Sequence, residues 1–195
     1  MAQLDTNNSQ TQWSNETLQQ KLREIRNNFV HAQISPPELE PEDLHIPTQP
    51  HGFEITNDIY ISHFVPSFQR EFLKSFGIKA IICLSGHHNK SDPETLGVRA
   101  IFSVDMPDGE GTTSAMIRSY TAALHSFLKA HGRTLVLCQA GQSRSPSLVA
   151  AYLARYRNME LESALELVRK AREPEREVKY WRATLTAIGK ALEEV

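Results

Sequence analysis

Cys138 and Arg144 stand six residues apart in the string Cys138-Gln139-Ala140-Gly141-Gln142-Ser143-Arg144-Ser145. The apolar run Thr134-Leu135-Val136-Leu137 precedes it, and the helix-forming stretch Leu148–Ala154 follows. This order brings a thiol, a turn of backbone N–H groups, a guanidinium and a helix N-terminus to one point. Helix N-termini attract anions because their unpaired N–H groups and the macrodipole are both positive. A loop containing Gly141 can turn further amides inward as a nest. Arg144 adds a planar fork that grips two oxygens of a tetrahedral anion, which lysine cannot do. The same positive field favours thiolate over thiol, and only the thiolate attacks. Pro146 is compatible with a first helical turn, where N–H groups have no partner in any case. Ser143 and Ser145 supply hydroxyls near the sulfur, one of which can assist its departure in a second step.

A buried strand-end cysteine beside a solvated arginine is the plain alternative. Cys-x5-Arg by itself is a weak signal, but the full string between a strand-like and a helix-like run is far more specific. It closely resembles the signature loop of the cysteine-dependent protein phosphatases, and within them the dual-specificity branch. Cys138, Gly141, Ser143, Arg144, Ser145, Pro146 and Ser147 carry the resemblance, and the likeness extends over roughly Gly52 to Ala191 in element order. It implies Cys138 as nucleophile, Arg144 as phosphate clamp and Ser145 as the group easing thiolate departure. Backbone N–H groups of Gln139, Ala140, Gly141, Gln142, Ser143 and Arg144 would form the cradle. One departure stands out: the family usually has histidine before the cysteine, and this chain has Leu137.

Phosphoryl transfer to sulfur leaves an alkoxide or phenoxide that needs a proton. The segment Val104-Asp105-Met106-Pro107-Asp108-Gly109-Glu110-Gly111 is a loop by composition and carries three acids. Asp108 resembles the family's general-acid position, about thirty residues before the nucleophile. Asp105 is the second candidate and Glu110 the third; a tight turn at Asp108-Gly109 without chemistry is the alternative. The aspartate, or a water it orients, would then hydrolyse the cysteinyl-phosphate. Such covalent catalysis in two displacements needs no metal and no cofactor.

With 195 residues and 40% hydrophobic content, the chain suffices for one domain plus an extension. A net charge of -2 argues against nucleic acid or an anionic membrane as partner. Two cysteines do not make a disulfide scaffold and suggest a reducing, cytoplasmic location. Neither a secretory leader nor a run of membrane-spanning length is evident, and Ala2 excludes N-myristoylation.

Residues 1–50 differ from the rest. A polar start leads to an amphipathic stretch at about 16–32, with Leu18, Leu22, Ile25 and Phe29 on one stripe, expected to pack on its own domain or on an unknown partner. Five prolines among acidic residues over 35–50 then read as an extended strap. From residue 51 the pattern is that of the catalytic domain (51–195). Strands are expected at Phe53–Ile55, Ile59–Ser62, Ala80–Leu84, Val98–Val104 and Thr134–Leu137. Helices are expected at Phe68–Phe76, after Asp92, and over Ser114–Ala130, Pro146–Tyr156, Leu161–Ala171 and Glu177–Glu193, the last including Tyr180 and Trp181. The alternation implies an α/β fold: a central, mainly parallel sheet of four to five strands with helices on both faces. The site should then lie at the carboxyl end of the central strand.

Cys83 reads chiefly as a small buried hydrophobe; its alternative is a reversible disulfide with Cys138. His87 and His88 lack ligand-spaced partners and read as a solvated loop rather than a metal site. The overall expectation is hydrolysis of phosphomonoesters on phosphotyrosine of proteins, extending to phosphoserine and phosphothreonine. The alternatives are a phosphate-binding module with little catalysis, or the same chemistry on a phosphorylated lipid, sugar or RNA.

Overall fold

The computed structural model describes residues 52–63, 70–86, 92–172 and 177–194, all within the unit Pro50–Val195. The stripe at 16–32, the strap at 35–50 and the His87-His88 pair lie outside the described residues.

Strands β1 (Phe53–Thr56), β2 (Ile59–His63), β3 (Ala80–Cys83), β4 (Ala100–Ser103) and β5 (Thr134–Cys138) form one sheet in the order β1-β2-β5-β3-β4. Only the β1–β2 hairpin is antiparallel; β2–β5, β5–β3 and β3–β4 are parallel. The cysteine strand β5 is the middle one, and all five of its residues are buried. That is why its sequence is a continuous apolar run rather than an alternating one.

The helices are α1 (Arg70–Ser75), α2 (Pro93–Leu96), α3 (Ser114–His131), α4 (Arg144–Tyr156), α5 (Leu161–Arg172) and α6 (Arg182–Glu193). They cover both faces. On one side Phe72, Leu73 and Leu96 of α1 and α2 pack with Tyr60, Ile81, Cys83, Leu135 and Leu137. On the other, Ile117, Leu124, Ala164, Val168 and Ile188 surround α4, which lies against Ile61, Ile82 and Val136. Residues Ser145 to Leu153 of α4 are buried without a break. A helix apolar or small on all sides belongs in the interior, and this one continues directly from the central strand.

Local signals set several boundaries. Asp92 caps α2, accepting from the N–H groups of Glu94 and Thr95 at 3.2 Å each, and Gly97 closes it at φ 72°. Gly77, at φ 64°, ends α1 as expected. Thr113 caps α3 by accepting from the Met116 N–H at 3.2 Å. Thr113→Ala should therefore cost about 1 kcal/mol, a fall in Tm of about 2–4 °C by calorimetry.

Two helix starts differ from the sequence reading. Helix α4 begins at Arg144, two residues earlier, because the Ser143 carbonyl already accepts from the Ser147 N–H at 2.9 Å. Pro146 then occupies the first turn, where its missing N–H costs nothing. Helix α6 begins at Arg182, five residues later than the expected Glu177. The Lys179 N–H is taken by the Gln142 carbonyl at 2.8 Å, and Tyr180 donates its hydroxyl to the Leu165 carbonyl at 2.8 Å. Burial pushes the Tyr180 phenol up, so the donor form is the one held. Tertiary hydrogen bonds thus keep residues 177–181 out of the helix despite their amphipathic pattern.

Candidate active site

Cys138 ends β5 and stands beside His63, the last residue of β2. It is only 2% exposed, and its Sγ lies 3.3 Å from Ser145 Oγ at the start of α4. A hydroxyl at that distance can donate to a thiolate. Between them the chain curls through Gly141 at φ 63°. A Cβ there would meet His63 N and Ser62 C and O, all at 3.1 Å. Glycine is needed twice over: for the left-handed backbone and for the close approach to β2. Gly141→Ala should displace the loop from the strand and lower kcat by about 10²-fold or more, comparable to losing one aligned donor; steady-state kinetics on an aryl phosphate checks this.

Arg144, the first residue of α4, turns inward and is 11% exposed. Its Nη1 donates to the carbonyls of Leu84 (3.3 Å) and Met106 (3.4 Å). Its Nε is buried, makes no hydrogen bond among the described residues, and lies 3.8 Å from Asp108 Oδ2. The guanidinium therefore joins the end of β3 and the acid-bearing segment to the loop while keeping a donor for an anion. The positive end of the 13-residue helix α4 points at the same place.

The acid-bearing segment is pinned at its start. Met106 is fully buried and its N–H donates to the Leu84 carbonyl at 3.1 Å. Asp105 forms a bridge with Ser85 and is turned to solvent. Glu110 is also exposed. Of the three candidate acids, Asp108 is the one whose carboxylate reaches Arg144. Its other oxygen, Oδ1, accepts from Trp181 Nε1 at 3.1 Å.

The structure thus brings together Cys138, Ser145, Arg144 and Asp108 around the turn Gln139-Ala140-Gly141-Gln142-Ser143. Ser143 is buried on the turn itself. Cys83 does not join them. Its register partner on β5 is Leu137, and it faces the α1–α2 side of the sheet, whereas Cys138 belongs to the α4 side. Both thiols are free, and Cys83 sits 3.4 Å from Ser85 Oγ. Leu137, at the position where the resembled family usually has histidine, is fully buried on the Cys83 face. Among the described residues, no group of three or more His, Cys, Asp or Glu is gathered as metal ligands, and no helix is long and apolar enough to cross a membrane.

Sequence reasoning missed His63 and Trp181. Strand pairing that juxtaposes His63 with Cys138 leaves no trace in spacing. Trp181 was absorbed into an amphipathic helix pattern, although an exposed tryptophan, here 48% exposed, is itself a signal.

A mainly parallel sheet carries a thiol, an inward arginine and a carboxylic acid near the tip of its middle strand, and comparison with known proteins gives the family. Residues 59–188 match the model described as "Dual specificity phosphatase, catalytic domain". The chain belongs to that family. It is 30% identical over 91 residues to human dual specificity phosphatase 28, covering 47% of this chain and 52% of that protein. It is 31% identical over 132 residues to human dual specificity protein phosphatase 14, covering 66% and 65%. The alignments thus span from about half to under two thirds of these curated relatives. A crystal structure of human DUSP28 superposes with a TM-score of 0.62 at 23% identity, covering 72% of this chain and 95% of that one. The central sheet flanked by helices on both faces is therefore the fold expected from the sequence.

Proposed function

We propose that residues 51–195 form a catalytic domain hydrolysing phosphomonoesters of proteins, on phosphotyrosine and also on phosphoserine or phosphothreonine. One observation carries the reading: Cys138 Sγ, the inward Arg144 guanidinium and the Asp108 carboxylate converge at the carboxyl end of the middle strand.

In the first step the Cys138 thiolate attacks phosphorus. The S–P bond forms as the ester P–O bond breaks, and the leaving oxygen takes the proton of the Asp108 carboxyl. Arg144 and the amides of residues 139–144 hold the three equatorial oxygens, where charge stabilisation does most for phosphoryl transfer. In the second step water attacks the phosphocysteine and gives its proton to the Asp108 carboxylate. The S–P bond breaks, Ser145 Oγ donates to the departing sulfur, and inorganic phosphate leaves. Residues of this chain supply every proton and charge, so the scheme requires no metal or cofactor. Two free cysteines suit a reducing, cytoplasmic setting.

A loop that binds phosphate without turnover is the competing reading, and Leu137 in place of histidine favours it. Turnover of p-nitrophenyl phosphate by the full chain decides between them, since a pure binder gives none. A panel of phosphotyrosine, phosphoserine and phosphothreonine peptides, with a phosphoinositide and a 5′-phosphorylated RNA, then sets the substrate class. Release of phosphate only from the lipid or RNA would overturn the protein assignment.

A further inference from the structure

We propose that Trp181 is a positioning residue for the proton-transfer step: its indole rests on Gly109 and its N–H fixes one oxygen of Asp108. The inference rests on the reading of Asp108 as the general acid.

Trp181 is 48% exposed, so burial alone does not account for its position. Its ring lies against the backbone of Gly109, where a Cβ would meet Cγ, Cδ2 and Cδ1 at 3.1–3.4 Å. Gly109 has φ 91°, and a side chain at this position would both strain the turn and push the indole away. The ring therefore sits on the one residue that lets it approach the turn next to Asp108. Its Nε1 donates to Asp108 Oδ1 at 3.1 Å, while Oδ2 lies on the Arg144 side at 3.8 Å from Nε. Indole is a donor only. It can bond Oδ1 whether the carboxyl is ionised or neutral, but Oδ1 is then best used as an acceptor. The transferable proton is consigned to Oδ2, the oxygen beside the phosphate clamp.

Trp181 is itself held. It precedes α6 with φ −69° and ψ 136°, at the end of the segment whose Lys179 N–H donates to the Gln142 carbonyl. Tyr180 is tied to Leu165 and Val178 is buried. A chain of contacts thus runs from the phosphate-loop residue Gln142 through Lys179 to Trp181 and Asp108. Nucleophile loop and acid are referenced to each other through a segment that does no chemistry. Small misplacements of reacting groups are costly in rate, which gives such a tie its value.

The test uses the full chain with Trp181→Phe, which keeps an aromatic ring but deletes the N–H, alone and combined with Asp108→Asn. Two substrates are compared: phenyl phosphate, whose leaving group needs the proton, and 2,4-dinitrophenyl phosphate, whose leaving group does not. The expected result is a roughly 10-fold fall in kcat on phenyl phosphate with KM within about 2-fold, and a much smaller fall on the dinitrophenyl ester. In the Asp108→Asn background, Trp181→Phe should add almost nothing. The ratio of the two rates is independent of how much variant protein is folded. Equal losses on both substrates, no loss, or losses that multiply with those of Asp108→Asn would each overturn the proposal. If Asp108→Asn alone leaves phenyl phosphate hydrolysis intact, the acid assignment itself fails, and the inference fails with it.

Discussion

Cys138→Ser is expected to abolish turnover, by at least about 10⁴-fold, while leaving phosphate uptake intact. The hydroxyl is a far weaker nucleophile than a thiolate, and the Ser145 hydroxyl 3.3 Å away is no base that could activate it. The phosphate-holding parts are separate from the sulfur. Arg144 is anchored by the carbonyls of Leu84 and Met106, and Gly141 by its fit against Ser62-His63. The substitution changes volume little, and the buried hydroxyl keeps Ser145 as its polar neighbour, so the fold should tolerate it. Stopped assays with p-nitrophenyl phosphate measure the loss, and calorimetric titration with a phosphotyrosine peptide measures the retained binding. Turnover near the wild-type level would remove Cys138 from the mechanism.

Asp108→Asn should lower kcat by about 10²–10⁴-fold on esters with poor leaving groups, the range that general acid catalysis contributes. The amide keeps the size of the carboxyl and an acceptor for the Trp181 N–H but has no acidic proton. The loss should be far smaller on 2,4-dinitrophenyl phosphate, whose leaving group needs no proton. Asp105→Asn serves as the comparison. Its carboxylate is exposed beside the Ser85 bridge and does not reach Arg144, so activity should change by less than about 2-fold. If Asp105→Asn, and not Asp108→Asn, shows the leaving-group-dependent loss, the role passes to Asp105.

The sequence carried the site's ingredients and most of its scaffold. The C-x-x-G-x-S-R-S string sits between strand and helix as its flanking runs implied, and the Asp108-Gly109 turn was recognisable from its composition. Asp92-Pro93 and Gly77 marked helix ends through their own side chains or lack of one, which is local information. The α6 start was misread because the hydrogen bonds from Lys179 and Tyr180 go to residues 37 and 15 positions away, and periodicity has no access to such partners. The same holds for Trp181 on Gly109, and for His63 beside Cys138, where only sheet register brings the residues together. Cys83 and Cys138 lie on neighbouring strands, but the alternation of side chains points them to opposite faces.

The close fit of Gly141 on the end of β2 has a thermal consequence. The β1–β2 hairpin is the outermost part of the sheet on its side, and its strand-to-strand bonds to the rest of the sheet run along β5 alone. Outer elements open at lower free energy than the whole molecule. When the hairpin opens, the turn bearing the thiol loses the surface it is moulded against. Warming should therefore silence the protein some degrees before it melts.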